Sequence, residues 1–174
     1  MTIYTRQGDN GQTRLSDNVP IAKDALALEA CGTVDELGSA IGLVRCEGLA
    51  DGMSRLLEGV QRTLLELNAD WAAPGRSSSG PPAFGPAQVE ALETAIDHHD
   101  SKLEPLGTFV LPGNTRAEAA MHFARTVCRR AERRAVALAR AEPSRVRDHH
   151  LAYLNRLSDL LFILARCLVG RDCR

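Results

Sequence analysis

Arg125, Arg129 and Arg133 recur at every fourth position in the stretch Arg125-Thr-Val-Cys-Arg-Arg-Ala-Glu-Arg-Arg134. On a 3.6-residue helix this spacing drifts only about 40° per step, so the three guanidiniums lie along nearly one face. Each is a planar fork that holds two oxygens and keeps its charge at any physiological pH, and a row of such forks suits a chain of phosphates. A solvated basic helix face has the same signature, and composition alone does not separate the two. A second anion-seeking segment is Thr5-Arg-Gln-Gly-Asp-Asn-Gly-Gln-Thr-Arg14. It lacks the GxxxxGK(S/T) pattern of a P-loop, but its glycines can take positive φ and turn backbone N–H groups toward an anion. Alone, Gly8-Asp9-Asn10-Gly11 reads first as a plain turn. Both segments need a negatively charged partner, and together they point to a polyphosphate.

Other polar positions are weaker signals. Asn155, Asp159 and Phe162 follow 4-3 spacing beside a leucine stripe, so an amide and a carboxylate share a face that is polar yet near the core. The amide can hold an adenine edge or a ribose hydroxyl, or it can bond between helices, which is the commoner use. Asp35 and Glu36 offer a carboxylate to an arginine of the row, or simply face water. His98-His99 and His149-His150 are adjacent pairs whose rings leave a helix about 100° apart, a poor geometry for two ligands of one metal. His122, one turn before the arginine row, reads as a satisfied interhelical histidine. No Ser-His-Asp or Cys-His arrangement is arguable from the spacing.

These residues need a frame. With 174 residues, 44% of them apolar, the chain reads as one domain, 1–174, with a sizeable core. Aromatics are only 4%, so Leu, Ala and Val must do the packing, a mixture that favours helices. A net charge of −1 argues against a protein that as a whole coats nucleic acid or an anionic membrane, although residues 125–147 carry eight arginines against Glu132 and Glu142. Five cysteines (Cys31, Cys46, Cys128, Cys167 and Cys173) show no CxxC spacing, and three of them fall in apolar helical stretches as core residues. No apolar run approaches a membrane span and the first residues lack a signal-peptide core, so a cytoplasmic, reducing setting is expected.

Helical periodicity dominates from about residue 24. Leu28, Cys31, Val34, Leu37, Ile41 and Val44 mark a first helix over 24–47, with Gly38 and Gly42 expected to let a neighbour approach closely. Leu56, Val60, Leu64, Leu67 and Trp71 mark a second. A third runs from Pro86 to Leu103, with proline in a favourable first turn. Ala117, Met121, Ala124, Cys128, Ala131, Ala135 and Leu138 mark a fourth, with Asn114 or Thr115 as its N-cap and Glu118 in its first turn. Leu154, Leu157, Leu161, Leu164 and Leu168 mark the last. Pro74–Pro86 reads as a mobile loop, Leu106–Asn114 as a short crossing, and 141–144 as a tight break. The expected architecture is all-α: a five-helix up-and-down bundle over 24–174, preceded by an irregular nucleotide-binding segment over 1–23.

Five blocks in order, Thr5–Arg14, Gly32-Thr-Val-Asp-Glu-Leu37, Phe109-Val-Leu-Pro-Gly113, Arg129-Arg-Ala-Glu-Arg133 and Tyr153-Leu-Asn-Arg-Leu-Ser-Asp159, resemble the PduO-type ATP:cob(I)alamin adenosyltransferases. The resemblance spans nearly the whole chain and implies a homotrimer with active sites between subunits. It implies that ATP binds through Thr5, Arg6, Gln7, Gly8, Thr13, Arg14, Lys23, Arg129, Arg130, Ala131, Glu132, Arg133 and Asn155, with Mg²⁺ on the phosphates. It further implies an intersubunit salt bridge between Asp35 and Arg125, and Phe109 beneath the corrin ring of cobalamin. Family members often carry Lys-Thr or Lys-Asn where this chain has Arg6-Gln7, which bears on affinity. In such enzymes Co(I) attacks the 5′ carbon of ATP and expels triphosphate. A cobalamin reductase or an adenosylcobalamin-dependent enzyme is the implied protein partner, with neither nucleic acid nor membrane involved. Two other classes stay open to the residues alone: a non-catalytic bundle whose basic helix binds RNA or an acidic protein, and another ATP-dependent transferase or hydrolase.

Overall fold

The computed structural model describes residues 4, 6–15, 19–74 and 84–169; Thr5 and Cys173 lie outside them, as does most of the expected 74–86 loop. Five helices follow a small two-stranded sheet: β1 (Gln12–Arg14), β2 (Pro20–Ala22), α1 (Leu26–Arg45), α2 (Asp51–Ala72), α3 (Pro86–Asp100), α4 (Arg116–Ala141) and α5 (Asp148–Val169). Helix α4 packs against both α1 and α5, α5 also carries α3, and α1 carries α2. The apolar stripes read from the sequence are the buried faces. Ala124, Cys128, Ala131, Ala135 and Leu138 of α4 are fully buried, as are Leu37 and Ile41 of α1 and Leu154, Leu157, Leu161 and Leu164 of α5. Small side chains on α4 leave room for the larger residues of its two neighbours. Each fully buried leucine contributes on the order of 2 kcal/mol of transfer free energy.

The helix ends have local causes. Thr115 is the N-cap of α4, its Oγ1 accepting the Glu118 N–H at 3.0 Å. Helix α3 opens on Pro86, with the Gln88 side chain accepting the Gly85 N–H at 2.9 Å. It ends at Asp100 and not Leu103, because Lys102 N–H and Leu103 N–H bond three residues back, to His99 and Asp100 carbonyls, in tighter turns that cannot continue an α-helix. Gly38 and Gly42 do not bring a helix backbone close: a Cβ at Gly38 would meet nothing within 4 Å, and one at Gly42 would meet only the Gln61 side chain at 3.4 Å.

The N-terminal segment departs from the irregular expectation. Thr13 pairs with Ile21 in an antiparallel ladder, and Leu15 and Ile21 rest against the core. Ile21 therefore anchors an otherwise polar segment to the bundle. Among the described residues Cys31, Cys46 and Cys128 are free thiols. Burial pushes Cys31 up to about 11 and Cys128 still further, so both behave as packing residues.

Candidate functional site

The loop ahead of β1 is built by two residues with positive φ, Arg6 (60°) and Gly11 (81°). Gly11 closes the turn on Lys23, its carbonyl accepting the Lys23 N–H at 2.9 Å. Gly8 sits in a crowded place: a Cβ there would lie 3.1 Å from Lys23 Nζ and 3.2 Å from the Gln12 carbonyl oxygen. The Lys23 ammonium lies next to the glycine. Gln7, Gly8, Thr13 and Arg14, four of the residues expected to bind nucleotide, line one concavity of about 510 Å³ together with Asn10, Gln12 and Pro20. A volume of that order accommodates a small-molecule ligand, and its lining offers amide, hydroxyl and guanidinium donors. Arg6 instead places its guanidinium over the Tyr4 ring, 5.6 Å from the centroid.

On α4 the arginines divide by helix angle. Arg130 is ion-paired with Glu36 of α1, and Arg134 with Glu29 at 3.0 Å, so these two forks serve the α1–α4 seam. Glu36 and Glu29, not Asp35, are thus the carboxylates of α1 that pair with α4 within the chain. Arg129 and Arg133 lie on the exposed side, Arg129 reaching Glu132 at 3.2 Å. Arg125 is half-buried, and its Nε–H donates to His122 Nδ1 at 3.3 Å. The open part of the ladder is therefore Arg129 and Arg133. Ala131 is fully buried, its methyl packed in the core, so its side chain is not part of a ligand surface.

Helix α5 comes level with this stretch where the Cys128 thiol donates to the Leu154 carbonyl at 3.3 Å. That contact sets the half-buried Asn155 beside the Arg129 level of α4. Asp159 is exposed and lies 3.6 Å from Arg156. Asp35 accepts from Asn68 Nδ2 at 2.7 Å, and within the chain it does not pair with Arg125. Phe109 is wholly exposed, and Leu111 nearly so, on the segment that leads into α4. Among the described residues no hydrogen bond or ion pair joins residues 6–13 or Lys23 to α4.

Two constellations escaped the sequence reading. His150 is fully buried; its Nδ1 accepts from Trp71 Nε1–H at 3.0 Å and from Arg147 N–H at 3.1 Å, and its Nε2 faces Asp70 at 3.3 Å. Glu118 is also fully buried. Its Oε2 accepts the Gly113 and Asn114 N–H groups at 2.8 and 3.0 Å, and its Oε1 lies 3.2 Å from His122 Nε2. The second of these had a signal, since 118, 122 and 125 follow 4-3 spacing. The first had none, because its members come from two helices.

The family model described as cobalamin adenosyltransferase matches residues 3–168. The corrinoid adenosyltransferase PduO of Salmonella typhimurium is 41% identical over 167 residues, which is 95% of this chain and 49% of that protein, so the chain spans about half of that relative. A corrinoid adenosyltransferase of Mycobacterium leprae is 42% identical over 170 residues, 94% of this chain and 89% of the relative. Among solved structures, a variant PduO-type ATP:corrinoid adenosyltransferase from Lactobacillus reuteri complexed with cobalamin and ATP matches with a TM-score of 0.89 at 32% identity, covering 99% of this chain and 96% of that one. Another variant of that enzyme, complexed with ATP, matches with a TM-score of 0.87. A five-helix bundle, a donor-lined N-terminal concavity and an exposed arginine pair on α4 thus occur in a chain that belongs to the cobalamin adenosyltransferase family.

Proposed function

We propose that this adenosyltransferase moves the 5′-deoxyadenosyl group of ATP to Co(I) of cob(I)alamin, releasing triphosphate and yielding adenosylcobalamin. The cobalt lone pair attacks C5′ as the C5′–O bond breaks, and the bonding electrons leave with the triphosphate. Negative charge grows on the departing oxygen, so pre-oriented cations stabilise the transition state more than the ground state. Lys23, Arg129 and Arg133 are the cations suited to that task. Gln7, Gly8, Thr13 and Arg14, with Thr5, supply the remaining donors to the phosphates, and Asn155 holds the nucleoside. The observation that carries this reading is the shared concavity of Gln7, Gly8, Thr13 and Arg14, with the Lys23 ammonium beside Gly8.

The active site lies between subunits of a homotrimer in this proposal. In this reading a neighbouring subunit brings its loop to α4. Asp35 then meets Arg125 of a second copy, and the exposed Phe109 presents an apolar ring to the lower corrin face. An apolar ring there excludes an axial nitrogen ligand and makes reduction to Co(I) easier. Among the described residues no three His, Cys, Asp or Glu side chains converge on a metal-sized site. In this proposal a Mg²⁺ ion is held chiefly by phosphate oxygens and water. The ion would supply charge neutralisation on the triphosphate. No helix among the described residues is long and apolar enough to cross a membrane. A cytoplasmic setting, a cobalamin reductase that delivers the electron and an adenosylcobalamin-dependent enzyme that receives the product complete the proposal.

The test is anaerobic incubation with ATP, Mg²⁺ and chemically reduced cobalamin. A light-sensitive alkylcobalt spectrum with released triphosphate is the expected result. Release of ADP or inorganic phosphate without an alkylcobalt product would overturn it.

A further inference from the structure

Three polar side chains on one face of α4 connect the Phe109 segment, which the proposed function sets beneath the corrin, to Arg125, which it pairs with Asp35 of the neighbouring copy that completes the same site. At one end, Glu118 Oε2 takes the N–H groups of Gly113 and Asn114 and so fixes the turn that ends the Phe109–Gly113 segment. Gly113 adopts φ +125°, a conformation that residues with a Cβ rarely adopt. At the other end, Arg125 Nε–H is held by His122 Nδ1. Between them, Glu118 Oε1 and His122 Nε2 face each other at 3.2 Å, within ion-pair reach though off the line of a hydrogen bond, and neither has any other partner. Both side chains are buried, His122 against the Phe162 ring with centroids 6.0 Å apart.

A helix N-terminal cap would need only the contacts to Gly113, Asn114 and Thr115. It would not require a buried histidine on the carboxylate's second oxygen, nor an arginine beyond that. Because Nδ1 accepts from Arg125, the single proton of a neutral ring must sit on Nε2, next to the carboxylate. Burial lowers the affinity of the His122 ring for a second proton, in keeping with that neutral form. We infer that Glu118 and His122 are positioning residues, a relay that fixes the tautomer of His122 and through it orients Arg125 in concert with the Phe109 segment, for corrinoid binding. This rests on the proposed function, since Phe109 and Arg125 take their roles from it.

Glu118→Gln separates the relay from the cap. The amide oxygen keeps the Gly113 and Asn114 N–H bonds, which places the NH₂ group against His122 Nε2. The ring must then carry its proton on Nδ1, where it opposes Arg125 Nε–H and releases the guanidinium. The expected result is a KM for cob(I)alamin at least tenfold higher, with the KM for ATP within twofold of wild type. Nitrogen-15 NMR of the imidazole should show the Nε2–H tautomer in wild type and the Nδ1–H tautomer in the variant. His122→Phe, which keeps ring volume beside Phe162 but has neither nitrogen, should raise the corrinoid KM in the same selective way. An unchanged corrinoid KM in both variants, or equal rises for both substrates, overturns the relay, since a purely structural role would disturb the ATP-facing arginines of the same helix as well. A wild-type His122 with its proton on Nδ1 overturns it independently of any variant. Wild-type protein that makes no alkylcobalt product defeats the functional reading itself, an outcome distinct from active protein with insensitive variants.

Discussion

Arg129 and Arg130 are chemically identical neighbours with different duties, because one residue along a helix is a turn of about 100°. That rotation carries Arg130 onto Glu36 and leaves Arg129 on the exposed side with only Glu132 of its own helix nearby. An Arg129–Glu132 pair of this exposure contributes little to stability. Arg129→Ala should therefore leave the bundle folded, alanine being the best helix former, and should lower turnover about a hundred- to a thousandfold, roughly 3 to 4 kcal/mol of transition-state stabilisation. Circular dichroism and steady-state rates check this together, and a near-normal rate would remove Arg129 from the site. Arg130→Ala, by contrast, loses a similarly exposed pair with Glu36 and should change turnover far less than Arg129→Ala.

Helices α2 and α5 are fastened at one end by a buried histidine. Trp71 and the Arg147 amide both donate to His150 Nδ1, Asp70 faces Nε2, and Phe84 packs edge-on with ring centroids 5.0 Å apart. Burial, helped by His149 and Arg147, lowers the His150 pKa from 6.5 to about 4. The unfolded chain therefore binds a proton between those values that the folded chain refuses. The contribution to stability is complete above about pH 6.5 and is lost as pH falls toward 4, at about 1.4 kcal/mol per pH unit for one proton. His122 and His149, also lowered by burial, act in the same direction. Urea midpoints should hold between pH 7.5 and about 6.5 and fall from there to pH 5, and His150→Gln should flatten that fall while lowering the midpoint throughout. A slope as steep in the variant as in wild type would contradict this assignment.

For the whole molecule, the surface left by one chain includes Leu43, Leu65, Phe109, Leu111 and Phe123, all large, apolar and exposed. Asp35 stands on the same exposed side of α1–α2 as Leu65, lining a groove with Gly38, Ser39 and Gly42. In the trimer proposal further copies of the chain cover part of this surface. Asp35→Asn removes the charge that would meet Arg125 of a neighbour while keeping the Asn68 contact geometry. Sedimentation velocity should show a trimer that dissociates at higher protein concentration than wild type, with a lower adenosylation rate. A wild-type-like trimer with full activity would exclude the Asp35–Arg125 pair.

The sequence by itself determined what depends on local pattern. Apolar residues at 3.6 periodicity placed five helices, because burying one stripe is the largest driving force for folding and its spacing is a property of the chain alone. Thr115 announced its cap, and five ordered blocks announced the family. Tertiary structure decided what depends on how two elements are rotated against each other. It turned Arg130 to Glu36 and left Arg129 open, sent Asp35 to Asn68, withdrew Ala131 into the core, and paired Thr13 with Ile21 in a sheet too short for an alternating pattern to reveal. It also joined Trp71 to His150 across 79 positions and aimed the second oxygen of Glu118 at His122. A side chain's partner is set by the neighbouring helix's register and by which polar atoms burial leaves unsatisfied, and neither quantity is written in the periodicity of a single helix.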